Sequence, residues 1–318
     1  MVKEYDVVLA TCNGSHHILD QLSSISSQSI LPTRVIVGDD ISRDNTLEII
    51  NNWSTETGIK TLFFSSEIVR LGPCRNFEKL LSLSSSPYVM LSDQDDLWHP
   101  HKAEMFLKAI QKLELVSDSL QPLLIYSDLR LIDSSGNLIA PSFFKYQNLN
   151  PYRFDWLSLA FQNIVTGCSC MVNRKCIDLA LPFPSEAIMH DWWLALIASH
   201  LGQISYIPFT YTSYRQHSKN VVGAKGFYRS FLLRLAQLSQ GIHLDIWINY
   251  PMHQLIACSN RYPSSDSRTR LLLSNLISSN RLVRVYTALR LGLSKHGILR
   301  TLVWYFALFS TSSKNLAK

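Results

Sequence analysis

No G-x-G-x-x-G follows the first strand-like run of this 318-residue chain, and no G-x-x-x-x-G-K-[ST] occurs anywhere in it. A dinucleotide enzyme and a P-loop ATPase both cradle phosphate in such a glycine-rich loop, so both are excluded. The six cysteines (Cys12, Cys74, Cys168, Cys170, Cys176 and Cys258) lack regular metal-ligand spacing. Cys168-Ser169-Cys170 is too tight for an ordinary zinc site, and the set reads as core thiols in a reducing compartment. No early segment reads as a signal peptide, because Met1–Glu4 leads directly into a strand-like run. No uninterrupted apolar run reaches the ~18–20 residues of a spanning helix. Arg300 cuts the best candidate to Thr301–Phe309. Acidic residues are missing from residues 268–318, which hold nine Lys or Arg; the rest of the chain holds 21 basic and 24 acidic residues. The net charge of +6 therefore divides into +9 in the tail and −3 in the body. The tail carries no recognised nucleic-acid motif, so no nucleic-acid partner is expected.

What is present is alternation. "DVVLA" (Asp6–Ala10), "RVIVGDD" (Arg34–Asp40), "TLFFS" (Thr61–Ser65), "YVMLSD" (Tyr88–Asp93) and "LLIYSDLRLID" (Leu123–Asp133) read as buried strands. Between them lie helical patterns: Ile18, Leu22 and Ile25, then "RDNTLEIINNW" with Asp44 as a cap, "CRNFEKLLSLS" and "HPHKAEMFLKAIQKL". Short apolar runs alternating with helices predict βαβ units, an α/β class and a mostly parallel central sheet flanked by helices. Ligands of such sheets bind beyond the carboxyl ends of the strands, where Thr11, Asp39, Asp40, Asp93 and Asp95 fall. The stretch "VMLSDQDDLWHPHK" (Val89–Lys102) sets three carboxylates together at one such end. Like charges this close repel unless something positive stands between them. A solvated turn with Asp96 capping the next helix is the alternative. An acidic sheet edge suits a metal and the phosphates it would bridge.

Seven segments in order carry a more specific resemblance: "VVLATCNGSHHILDQLSSISSQS", "VIVGDDISRDNTLEII", "LGPCRNFEKLL", "YVMLSDQDDLWHPHK", "NIVTGCSCMVNR", "MHDWWLALIAS" and "YRQHSKNVVGA". Together they resemble family 2 glycosyltransferases of the GT-A fold, and among these the bacterial rhamnosyltransferase-like branch that builds surface polysaccharides. The likeness covers residues 4 to 225 and implies a GT-A domain over 1–225, leaving 226–318 as a helical, basic extension.

The resemblance implies inverting, metal-dependent transfer of a sugar, L-rhamnose as the first guess, from a nucleotide-sugar donor. Asp93-Gln94-Asp95 matches the family's D-x-D element, which implies Asp95 as a ligand of Mn²⁺ or Mg²⁺ and Asp93 on the ribose or the metal. Thr11, Asp39, Asp40 and Arg75 match donor-contacting positions. Arg215 and His217 match a late element over the diphosphate, with His217 as a further metal ligand. Asp191 matches the base that takes the acceptor's proton. Met189, Trp192 and Trp193 would desolvate it and raise its pKa, and either tryptophan would suit a sugar ring. The other reading makes Asp191 a helix cap and both tryptophans core. "NVVGA" reads as a lid, and "TGCSCM" as the lining of the acceptor pocket.

Two tail segments, "FYRSFLLRLAQLSQGI" and "RLVRVYTALRLGLSKHGILRTLVWYFALF", are apolar with periodic basic residues: Arg281, Arg284, Arg290, Lys295 and Arg300 in the second. They read as interfacial helices on the inner face of the cell membrane, or else as a helical cap with a solvated basic face. A cytoplasmic enzyme working on a glycan or lipid-linked oligosaccharide acceptor fits the first. The alternatives are a catalytically silent scaffold and a nucleotidyltransferase; the latter would want a basic glycine-rich loop that "ATCNGSHHILD" does not supply.

Overall fold

The computed structural model describes residues 4–65, 69–117, 120–217, 248–264, 267–276 and 280–310. "NVVGA" and "FYRSFLLRLAQLSQGI" lie outside the described residues. The chain forms two compact units: Met1–Phe144 with Val165–Phe183 and Met189–Ala224, and Lys145–Ile164 with Pro184–Ile188 and Lys225–Lys318.

The first unit is built on one nine-stranded sheet. Its strands are β1 (Tyr5–Thr11), β2 (Arg34–Asp39), β3 (Thr61–Ser65), β4 (Tyr88–Ser92), β5 (Leu97–Trp98), β6 (Leu123–Ile132), β7 (Leu138–Ala140), β8 (Cys170–Asn173) and β9 (Gln203–Arg215). The α-helices among the described residues are α1 (Ile18–Ser26), α2 (Thr46–Thr57), α3 (Gly72–Leu83), α4 (Lys102–Val116), α5 (Phe143–Gln147), α6 (Trp156–Phe161), α7 (Arg174–Ala180), α8 (His190–Leu201), α9 (Tyr250–Arg261), α10 (Ser267–Leu276), α11 (Arg281–Arg290) and α12 (Ile298–Ser310).

Strand order is β3-β2-β1-β4-β8-β6-β9-β5, with β7 paired to β6. The alternating first part of the sequence gives the parallel half, β3-β2-β1-β4. The sheet then becomes mixed, because β8 enters antiparallel between β4 and β6. Strand β9 runs parallel to β6 and extends through Arg215, so "YR" ends this strand rather than following it. Its register slips between Ile207 and Thr210, around Pro208, whose missing N–H cannot serve the ladder.

Val7, Leu9, Val35, Val37 and Met90 on the strands meet Ile18, Leu22 and Ile25 of α1, Ile50 and Trp53 of α2, and Phe106 and Ile110 of α4. Each such buried side chain contributes about 1.5–3 kcal/mol of transfer free energy. One charge lies inside this unit for a structural reason. Asp6 is fully buried in β1 and accepts from the Arg34 guanidinium at 2.9–3.1 Å and from Ser84 and Ser86 hydroxyls at 2.7 Å each. It ties the start of β1 to β2 and to the turn between α3 and β4.

The second unit is helical. Its lining of basic residues departs from the expected solvated face. Arg284 is fully buried and Arg300 is 7% exposed. Arg284 donates to the Leu308 carbonyl, and Arg300 to the carbonyls of Gln147, Asn148 and His296. Lys295 reaches the Phe161 carbonyl, and Arg153 donates to those of Ser294 and Lys295. Carbonyls at helix ends and in the intervening loops lack partners of their own, and long cationic side chains supply them while their stems pack on apolar neighbours. These bonds draw residues 145–164 into the unit along with the C-terminal stretch. Burial, then nearby Arg153 and Arg300, lower the His296 pKa to about 4, which matches its role as acceptor: Nδ1 takes the Asn150 N–H. No helix among the described residues is long and apolar enough to cross a membrane.

Asp6→Ala strands the Arg34 guanidinium and two serine hydroxyls beneath the sheet. The expected loss is about 3–5 kcal/mol of stability, read as a lower urea midpoint with unchanged slope.

Candidate active site

The carboxyl ends of β1, β2 and β4 open on one edge of the sheet, and three loops meet there. The first loop is held by its own polar knot. Thr11 Oγ1 donates to Asp39 Oδ1 at 2.8 Å, and Ser42 donates to both Asp39 oxygens. Thr11 and Asp39 are each 2% exposed, so they shape the floor of the edge rather than face a ligand. Asp40 accepts from the Leu71 and Gly72 N–H groups at 2.6 and 2.9 Å and thereby fixes the approach to α3. The cap position of α2 is Asn45, whose side chain makes no capping bond, and not the expected Asp44, which stands one residue earlier and accepts from the Thr46 N–H.

The acidic loop, Asp93 to Asp96, is gripped from two sides. Gln94 accepts from the Cys12 N–H at 2.8 Å and donates to the Cys12 carbonyl at 3.1 Å. Gly14 makes room for it, since a Cβ there would stand 2.3 Å from Gln94 Oε1. On the other side Arg215, 3% exposed, spends its guanidinium on Asp95 O, Ser134 O and Asp20 Oδ2, and its N–H on Asp96 Oδ1. Arg215 is thus a brace for the loop, not a free cation over a diphosphate. Strand β5 pins the far end against β9.

The carboxylates divide in a way the D-x-D spacing does not show. Asp95 Oδ2 pairs with His217 Nε2 at 2.7 Å, and the His217 ring stacks on His17. Asp93 instead gathers with Asp96 and Cys168, one donor atom from each lying within 4.8 Å of the others. Asp96 caps nothing: α4 begins after His101, and Asp96 is fully buried. Its Oδ2 is enclosed with no nitrogen or oxygen donor upon it among the described residues. Burial, then Asp95 beside it, push its carboxyl up to about 7. Burial and the charges of Asp96, Asp95 and Asp191 raise Asp93 well above the usual carboxylate range. Two hard oxygen donors, one of them reached only by the weak Cys168 thiol, fit a divalent cation of the Mg²⁺ or Mn²⁺ kind. Cys168, whose thiol is pushed up by burial and then by Asp96 and Asp93, stands beside them as a neutral neighbour.

Beneath this group lies a cation that the spacing of the acidic motif did not single out. Lys102 is fully buried, donates to the Cys168 carbonyl at 2.6 Å and stands 3.7 Å from the Trp98 ring centroid. Burial lowers its pKa to about 7 against the opposing pull of Asp96 and Asp93.

Asp191 opens α8, where two N–H groups serve it: Trp192 N to Oδ1 at 2.6 Å and Gly167 N to Oδ2 at 3.0 Å. It is half-buried and near enough to Asp93 to add to the repulsion there. His190 packs beside it, stacked on Phe77 at 3.8 Å, and burial holds its pKa down at about 3. A Cβ on residue 167 would stand 2.5 Å from His190 Nε2, which explains the glycine in "TGCSCM". Trp193 is fully buried with its indole N–H on the Ala180 carbonyl, so it is core and presents no face to a sugar. Trp192 is half-buried next to Asp191. Arg75 does not join the acidic group. It donates to Glu78 and to the Phe183 carbonyl, and lines a cavity of about 630 Å³ with Phe64, Leu71, Lys79, Leu181 and Pro182.

The sequence and the fold have counterparts in known proteins. The family model for glycosyl transferase family 2 matches residues 6–176. The chain is 26% identical over 243 residues to the dTDP-rhamnosyl transferase RfbG of Shigella flexneri, covering 71% of this chain and 78% of that one. It is 23% identical over 224 residues to WfgD of Escherichia coli, a UDP-Glc:alpha-D-GlcNAc-diphosphoundecaprenol beta-1,3-glucosyltransferase, covering 69% and 79%. The mannosyltransferase PcManGT of Pyrobaculum calidifontis, solved with GDP-Man and Mn²⁺, shares its fold with a TM-score of 0.55 at 17% identity, over 91% of this chain and 74% of that one. With the family model spanning more than half its length, the chain belongs to glycosyl transferase family 2 and is a sugar-transferring enzyme with the GT-A fold.

Proposed function

We propose that the enzyme transfers a sugar with inversion from a nucleotide-sugar donor to a hydroxyl of a glycan acceptor, with Asp191 as base. The observation that carries this is the way Asp191 is held at the start of α8 by the Trp192 and Gly167 N–H groups, with its charge felt at Asp93. The donor's diphosphate sits at the acidic group, and the acceptor hydroxyl approaches Asp191 from beside Trp192. A half-buried carboxylate held by two N–H groups is fixed in direction, so it meets the incoming hydroxyl without reorganising.

Asp93 and Asp96 are the residues that would hold Mn²⁺ or Mg²⁺, which when bound neutralises charge on the departing nucleoside diphosphate. Asp95 and His217 are engaged with each other and act from beside this pair, while Arg215 and Gln94 keep the loop in place. dTDP-L-rhamnose is the first donor to try, supported by the likeness to RfbG. A lipid-linked oligosaccharide is the proposed acceptor, supported by the likeness to WfgD. The reaction then belongs to surface polysaccharide synthesis on the cytoplasmic side of a membrane.

Asp191→Asn is expected to lower kcat by about 10²–10⁴-fold while donor affinity stays within about twofold. Release of nucleoside diphosphate from a panel of dTDP-, UDP- and GDP-sugars, with acceptor present, reads the first quantity and calorimetry the second. A near-normal rate in this variant would remove Asp191 from the base role. Mn²⁺ affinity is expected to fall as pH drops through about 7, up to about tenfold per pH unit for each carboxyl that must lose its proton. In a titration followed by Mn²⁺ electron paramagnetic resonance, Asp96→Asn should weaken binding more than Asp95→Asn. The reverse order would return the metal to Asp95 and His217.

A further inference from the structure

We infer that the α11–α12 hairpin of the second unit is a docking surface for an anionic lipid bilayer. Helix α12 is mostly apolar; Arg300 is turned inward onto carbonyl groups, and the Thr301 and Tyr305 hydroxyls are bonded to the carbonyls of Lys295, Gly297 and Leu293. A helix of that composition is normally enclosed on every side. One side is enclosed here, with Trp304, Ala307 and Leu308 buried. The other is open: Ile298, Leu302, Phe306 and Phe309 recur at helical spacing and are 79, 60, 63 and 42% exposed. Helix α11 repeats the pattern, with Leu282, Tyr286 and Leu289 at 71, 60 and 60%. The two helices pack on each other, Arg284 reaching the Leu308 carbonyl, and the Arg281 guanidinium lies 5.9 Å from the Phe309 ring centroid. Scattered apolar residues on a surface need no explanation, but two stripes on adjoining helices do.

Charge identifies the occupant. After Asp266 the chain has no carboxylate, while Arg281 and Arg290 remain exposed at the two ends of α11. Both stripes carry a single side-chain polar atom, the Tyr286 hydroxyl. A protein partner would be fixed in register by hydrogen bonds that these stripes barely offer. A bilayer surface asks only for apolar depth with positive charge beside it. The 13 residues of α12 reach about 20 Å, short of the hydrocarbon thickness of about 30 Å, so the helix lies in the interface and does not span.

This deepens the membrane-side reading above but stands on the hairpin alone, and the test uses neither donor nor acceptor. The full chain is sedimented with vesicles of phosphatidylcholine alone or mixed with phosphatidylglycerol. Tight binding to the mixed vesicles is expected, with each of Arg281→Gln and Arg290→Gln weakening it about fivefold. The double variant Leu302→Glu/Phe306→Glu should abolish binding while its thermal midpoint and nucleotide release stay those of the wild type, since both side chains are solvent-exposed. Absence of vesicle binding, or equal binding by the double variant, overturns the proposal. So does a wild-type dimer that the double variant dissolves without any vesicle binding, because the face then receives a second copy of the chain. Failure here leaves the sugar-transfer reading intact, and failure of that reading leaves vesicle binding measurable.

Discussion

Four carboxylates, Asp93, Asp95, Asp96 and Asp191, come together at one edge of the sheet, and their mutual repulsion is the constraint around which the site is arranged. In a buried setting such repulsion is large, and the protein meets it in three ways. Asp95 is matched to His217. Asp96 receives one N–H, from Arg215, and its other oxygen is left without one. Lys102 sits underneath, fully buried, with burial holding its ammonium close to losing its proton. What remains is the close Asp93–Asp96 pair, with both carboxyls pushed up, and its two hard oxygen donors are of the kind that suits a divalent cation.

The supports of this arrangement are rigid and come from far apart in the chain. Gln94 is bonded twice to the backbone of Cys12, so β1 and β4 present their loops as one piece. Arg215, at the end of β9, reaches Asp20, Asp95 and Ser134 with one guanidinium. Planar, multiply donating Arg suits this bracing in a way that a lysine would not. Gly167, in the turn before β8, comes close enough to the start of α8 for its N–H to orient Asp191. Strain or loss at any of these supports would be felt as a displacement of the carboxylates, not as a missing contact to substrate.

Much of this was legible from residue pattern. The alternation of short apolar runs with helices led to β1 through β4 in their parallel order, because burial on both faces of a parallel sheet writes itself into continuous apolar runs. The place of Asp93 at a strand end followed from the same logic, whereas Asp191 was named by the family resemblance alone. The division of labour inside the acidic loop did not follow. D-x-D spacing names Asp93 and Asp95, which strand alternation would set on one face. The chain bends at Gln94 and Asp95 between β4 and β5, so alternation does not carry through the loop, and it is Asp93 and Asp96 that gather with Cys168 while Asp95 turns to His217. Arg215 looked like a ligand-binding cation by position and is a buried brace by packing. Trp193 belongs to the core while Trp192, one residue earlier, stays partly open, a helical offset of about 100° that composition cannot resolve.

The same contrast marks the second unit. Periodic arginines in an apolar tail read as a basic stripe, yet Arg284 and Arg300 turn inward to serve carbonyl groups while leucine and phenylalanine side chains turn outward. By itself the sequence determined the sheet's parallel half and the strand ends at which Asp39, Asp40 and Asp93 stand, since local periodicity and strand ends are properties of consecutive residues. Only the tertiary structure decided which acids pair, which cations are spent inside and which apolar face stays open. Those outcomes depend on partners 80 to 200 positions away, such as Cys12 with Gln94 and Asp20 with Arg215, and no local pattern records them.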